Sequence, residues 1–154
     1  SGGCSERGSE RPGARERARL ILVQATMTPE FITPLECEAC SDTVWRLTKP
    51  LVYYSALAGV VFVPTGFETD FASVPRLPIV YALYGNRAHH EGVIHDYLFR
   101  KGCEPLVSFD VANKVFLEAM EVRGKSAIVR YPMYWAVCLF SRPFFQQRGV
   151  LDRL

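Results

Sequence analysis

A chain of 154 residues, 49% hydrophobic and 22% charged, is long enough for one domain with its own core and has the balance of a globular protein. Its net charge of +2 comes wholly from the first 26 residues, which carry five Arg and three Glu; from Met27 onward basic and acidic residues are equal at 13 each. A neutral body excludes a domain that grips nucleic acid mainly through phosphate contacts, so nucleic acid is not an expected partner.

Residues 1–26 open with "SGGCSERGSERPGARERAR", rich in Ser, Gly and Arg and nearly free of apolar side chains. Such a stretch buries too little surface to offset the entropy of ordering it. It is expected to be a disordered tail or a non-native upstream extension, with a single globular domain over 27–154. No charged leader, apolar segment and small-residue cleavage site follow one another, so no signal peptide is expected. Five cysteines, an odd number, suit reduced thiols in a cytosol. "CEAC" at 37–40 lacks two further ligands at the spacing of a zinc site and reads as two unrelated thiols near a turn.

Residues 43–64 are dense in β-branched and aromatic side chains. Residues 45–48, 51–55 and 60–63 read as short strands, the last two joined through "SALAG" as a hairpin. Pro64 and Gly66 in "PTGF" suit a type II turn. The following "ETDFASVPRLP" reads as an extended loop, because Pro75 and Pro78 oppose a regular helix.

Three helices are expected next. The first covers about 86–101, with Gly102 placed to end it. The second begins at Ser108, a good N-cap, and runs to about Arg123 before Gly124. Its inward stripe is Phe109, Ala112, Phe116, Ala119 and Met120. The third covers about 126–140, with Pro132 expected to kink it. Its "YPMYWAVCLF" is apolar all round and is expected to be a buried terminal helix. A membrane span needs roughly 20 such residues, so none is expected; contact with a membrane surface is the alternative. The fold class is α+β, a small antiparallel sheet on the N-terminal side packed on about three C-terminal helices.

Every histidine lies in "AHHEGVIHDYLFR", residues 88–100. On a helix, His95 shares a face with Ala88, Glu91 and Leu98, at steps of three and four. Asp96 sits about 100° further round, beside His89 and Gly92. An ionised carboxylate is rarely buried without a partner. One reading makes His95 a general base on water and Asp96 the ligand of a cation that polarises a substrate oxygen. The other makes them a hydrogen-bonded pair in the core. A histidine base needs a third group to orient its other ring nitrogen. Asn113, on the inward stripe of the second helix, is placed for this; Asp110 faces away with Lys114 and Leu117.

The preceding loop supplies Glu68, Thr69, Asp70, Ser73 and Arg76. Asp70 can join Asp96 at a divalent cation, calcium or another, with loop carbonyls and water completing the shell. Equally, Asp70 caps backbone amides and Arg76 pairs with a carboxylate. Ser73 has no G-x-S-x-G elbow around it and reads as a turn or capping residue. His89 and His90 are either further ligands beside Asp96 or exposed polar helix positions.

The succession "WRLTKPLVYYS", "VPTGFETDFASVPR", "HDYLF" and "ANKVFLEAM" resembles the phage and prophage family known as domain of unknown function 1353, over about 31–140. Gly66, Phe67, Thr69, Asp70, Ser73, Arg76, His95, Asp96 and Tyr97 stand in its motifs. The resemblance implies a gene of tailed phages or prophages. It also implies a phage or host protein as partner, and a place in the bacterial cytoplasm of the infected or lysogenic host or in the virion. It implies no biochemical activity. Two departures stand out: Phe99 where the family pattern has Tyr, and Asn113 where it has Asp. An H-D-x-x-Y helix followed by an A-D-x-x-F helix is also distantly similar to secreted and parvoviral phospholipases A2. That likeness implies His95 activating water, Asp96 binding calcium and Asn113 in the place of the supporting Asp. "PTGFETDFAS" does not match the glycine-rich calcium loop. Two functions follow. One is a structural or host-interaction protein in which Asp70, His95 and Asp96 form a buried network. The other is a metal-assisted hydrolase acting on an ester or amide.

Overall fold

The computed structural model describes residues 27–42, 44–70 and 89–146, the first residue of the last segment by its backbone alone. Among them, six short strands precede three helices. The strands are β1 (Glu30–Phe31), β2 (Cys37–Ala39), β3 (Trp45–Leu47), β4 (Leu51–Ser55), β5 (Gly59–Val63) and β6 (Glu68–Thr69). The helices are α1 (His89–Leu98), α2 (Phe109–Val122) and α3 (Ala127–Phe140), followed by a 3-10 turn at Arg142–Phe144. The expected tail over 1–26, the loop with Ser73, Pro75, Arg76 and Pro78, and the helix start near Asn86 lie outside the described residues.

The fold is α+β, with two antiparallel three-stranded sheets, β1-β4-β5 and β2-β3-β6. The β4–β5 hairpin pairs Leu51 with Val63 at one end and Ser55 with Gly59 at the other. Along β5, Val61 and Val63 are buried while Val60 and Phe62 are exposed, the period of two that puts one face on the core. Gly59, at φ 76°, takes the left-handed conformation that closes the short loop. Glu118 of α2 fastens this end: its carboxylate accepts from the Tyr53 hydroxyl at 2.9 Å and the Ala56 amide at 3.1 Å. The expected turn at Pro64 forms, with Gly66 at φ 84° and the Phe67 amide donating to the Pro64 carbonyl at 3.3 Å.

α1 runs through the middle of the domain, against β5 on one side and α2 on another. From Glu91 to Leu98 every residue but Tyr97 is buried. The helix ends before the expected Lys101 because the chain tightens after Leu98. The Arg100 amide donates to the Tyr97 carbonyl at 3.0 Å, and the Cys103 amide to the Arg100 carbonyl at 3.3 Å. Gly102 then turns the chain at φ 87°.

α2 begins as expected: the Ser108 side chain accepts from the Val111 amide at 3.3 Å. Ala112, Asn113, Phe116, Ala119 and Met120 are buried, and Gly124 follows at φ 72°. The main core lies between the β1-β4-β5 sheet, α1 and α2, with Leu51, Tyr53, Val61 and Ile94 at its centre. Full burial of one such side chain stabilises by roughly 1.5–3 kcal/mol. A smaller cluster of Phe116, Met120, Met133 and Val137 joins α2 to α3.

The expected buried terminal helix proves to be buried on one side only. α3 is mostly apolar, yet Met133, Ala136 and Val137 alone among its residues are buried, on the stripe that faces α2 among the described residues. Pro132 sits inside the helix without ending it. Among the described residues, no helix is long and apolar enough to cross a membrane.

Candidate functional site

α1, α2 and β6 bring four polar side chains together inside the domain. His95 is 0% exposed and Asp96 1% exposed, and Thr69 and Asn113 are buried with them. The Thr69 hydroxyl donates to Asp96 Oδ2 at 2.5 Å. His95 Nε2 lies 2.8 Å from Asn113 Oδ1. With the amide oxygen as acceptor, Nε2 carries the proton, and Nδ1 is the basic atom of the neutral ring. The helical stripe that put Asn113 inward therefore placed it on the histidine. The other end of that amide, Nδ2, is buried with no acceptor among the described residues.

The imidazole sits among aromatic rings. Its centroid is 4.0 Å from that of Phe99 and 4.9 Å from that of Phe116. Phe145 closes on Phe99 at 5.2 Å and on Phe109 at 5.7 Å. Phe99 thus packs on His95 and places no hydroxyl there.

A second set of contacts ties the start of the loop to α1. Phe67 meets the Tyr97 ring edge-on at 5.6 Å, and the Arg100 guanidinium lies 5.5 Å above the Phe67 ring. Arg100 also donates to the Glu68 carbonyl at 3.2 Å, and the Tyr97 hydroxyl accepts from the Glu104 amide at 3.2 Å. Gly66 serves the turn that aims this segment, its amide donating to the Leu47 carbonyl at 2.8 Å. Asp70, half-buried, follows Thr69 in the chain. His90 packs on Phe31 at 5.4 Å and is half-buried, while Asp110 is exposed as expected. Ser73 and Arg76, and the side chain of His89, lie outside the described residues.

The cation expected from the phospholipase likeness needs a set of oxygen or nitrogen donors. Among the described residues, no group of three or more His, Cys, Asp or Glu is arranged to hold a metal ion, and one oxygen of Asp96 already accepts from Thr69. Cys37 and Cys40 are free thiols, half-buried and exposed.

Glu91 has a place that the sequence reading missed. It is 1% exposed, and its Oε1 has no hydrogen-bond donor among the described residues; Lys125 Nζ is 4.0 Å away. Burial pushes its carboxyl above the ordinary range, against the opposing pull of its own backbone amide, Lys125 and Arg123. Burial, Glu118 and Glu91 likewise push the Tyr53 phenol up, so its hydroxyl stays a donor. The available signal was the i, i+4 step that puts Glu91 on the face of His95.

No curated protein and no solved structure matches the chain. A family model, described as protein of unknown function (DUF1353), matches residues 45–137, which include β3 to β6, α1, α2 and most of α3. That span is more than half of the chain and contains the whole His95, Asp96, Asn113 and Thr69 cluster, and the chain belongs to the DUF1353 family.

Proposed function

We propose that this is a phage- or prophage-encoded protein with a structural or host-interaction role, in which the His-Asp pair holds the fold together. The observation that carries this reading is where the polar atoms end. Asp96 meets Thr69, His95 meets Asn113, and both acid and base are at most 1% exposed. A general base and a cation ligand must be reached by water and substrate, whereas a fold-locking pair must be enclosed. The phage setting rests on the family motifs. The domain start is proposed near Met27, just ahead of β1.

The test is thermal unfolding of the whole chain, stripped of metal, with calcium, magnesium, manganese or zinc added back. A bound ion at about 100 times its dissociation constant stabilises by roughly 2.7 kcal/mol. A fold lock gives the same unfolding temperature with every ion and a lower one for Asp96→Asn. An ion-dependent rise that disappears in Asp96→Asn would overturn this reading.

One observation favours a second reading, a hydrolase with His95 as base and Asn113 as its positioning residue. The Nε2–Oδ1 contact leaves Nδ1 as the basic atom, the arrangement a water-activating histidine needs. Under it, Asn113→Asp speeds ester hydrolysis, because a carboxylate stabilises the imidazolium better than an amide does. Absence of hydrolysis in both forms removes this alternative.

A further inference from the structure

We infer that the outer face of α3 is a docking face for the surface of an anionic lipid bilayer. Tyr131, Trp135 and Leu139 stand at steps of four along this face, a line of about 12 Å at 1.5 Å per residue. Trp135 is 61% exposed and Leu139 71% exposed. Ile128 extends the line at one end, and Phe140 and Phe144 widen it at the other; all three are exposed. The helix is not peeling away, because Met133, Ala136 and Val137 hold its other side to α2.

Charge indicates what covers the line. Residues 122–146 contain Arg123, Lys125, Arg130 and Arg142 and no Asp or Glu, while residues 27–121 contain 12 acidic and 7 basic residues. Arg130 is paired with Glu121 at 3.1 Å, and Lys125 points towards Glu91. Arg123 and Arg142 are exposed, one at each end of α3, and the Arg142 guanidinium stacks 5.2 Å over Phe109. An exposed arginine thus flanks each end of an aromatic and aliphatic line. An anionic surface draws such a body in with α3 leading, and the apolar line then enters the headgroup region. Trp and Tyr suit that boundary, with one apolar side and one polar group. A second copy would bring these arginines against their own counterparts, which opposes pairing through this face. α3 is too short to cross the bilayer, so the contact is peripheral.

The inference is independent of the role assigned to His95. It is tested with the full chain and vesicles of phosphatidylglycerol mixed with phosphatidylcholine, or phosphatidylcholine alone. The protein is expected to sediment with the anionic vesicles and much less with the neutral ones. Tryptophan emission shifts to the blue on binding, and the shift is lost in Trp135→Phe, which keeps Trp45 as a reference. Trp135→Ser with Leu139→Ser lowers partitioning at least tenfold while leaving the unfolding temperature in place, since both side chains are exposed. Arg123→Gln with Arg142→Gln also weakens binding. Three results would overturn the inference. One is no binding to anionic vesicles. Another is binding undiminished by the Ser variants, which would point to the arginines of residues 1–26. The third is a concentration-dependent dimer, lost in the Ser variants, with no vesicle binding.

Discussion

Thr69 and Asp96 are 27 positions apart in the chain, and the Thr69 hydroxyl donates to Asp96 Oδ2 inside the domain. This bond joins the β2-β3-β6 sheet to the helix that runs along the other sheet. Thr69→Val keeps the shape and removes this donor from a buried carboxylate. A loss of about 1–3 kcal/mol is expected in urea unfolding. Asp96→Asn should cost a similar amount. The double variant should cost less than the two single costs added, by at least about 0.5 kcal/mol. Strict additivity would mean that the two groups do not act as a pair.

The contact between His95 and Asn113 carries a separate expectation. Asn113→Ala leaves the Nε2 proton without its acceptor, among the rings of Phe99 and Phe116. The expected loss is about 1–3 kcal/mol. Lys114→Ala, one residue on and exposed, should stay within about 0.5 kcal/mol. Equal effects at the two positions would deny the bond any special weight.

Glu91 sets a pH dependence. Its carboxyl is raised above its ordinary value of 4.5, chiefly by burial. A carboxyl that protonates more readily in the folded state contributes most to stability below its unfolded value. That contribution is lost as pH rises through the folded value. At neutral pH the charged group is therefore a net cost. Glu91→Gln is expected to unfold at a higher temperature at pH 7, a gain on the order of 1 kcal/mol. The gap should close as pH falls towards 4.5. Unfolding scans of both forms at several pH values decide it, and a Gln variant weaker at pH 7 would mean that Lys125 outweighs the cost of burial.

Much of the fold was legible because its signals are local. The alternation of Val61 and Val63 with Val60 and Phe62, the cap at Ser108 and the stripe through Phe116 all act within a few residues. β1, β2 and β6 were not legible, since two or three residues are too few to show a period. The burial of α1 was hidden by its composition. "HHEGVIHDYL" reads as a helix with a wet face, yet sheet and helix enclose it from Glu91 onward. Of the site, the stripe placed Asn113 inward beside Phe116, and His95 proved to be its partner. Thr69 as the partner of Asp96 depended on how β6 crosses α1, which no local pattern encodes. The exposed side of α3 was hidden for the opposite reason: its sequence reads as core, but among the described helices it packs chiefly against α2.

Two of the short strands have the widest consequence for anyone who trims this chain. β1 and β2 precede residue 45, where the family match begins, and each is the outermost strand of a different sheet. A fragment cut to the matched span would turn β4 and β3 into open edges, with unpaired amides and carbonyls along them. β4 is the more hazardous, because Leu51, Tyr53 and Tyr54 would lie on a bare rim ready to recruit strands from other molecules. Such a fragment should clump where the longer chain stays dispersed, and the reason would be missing strands rather than a weak core.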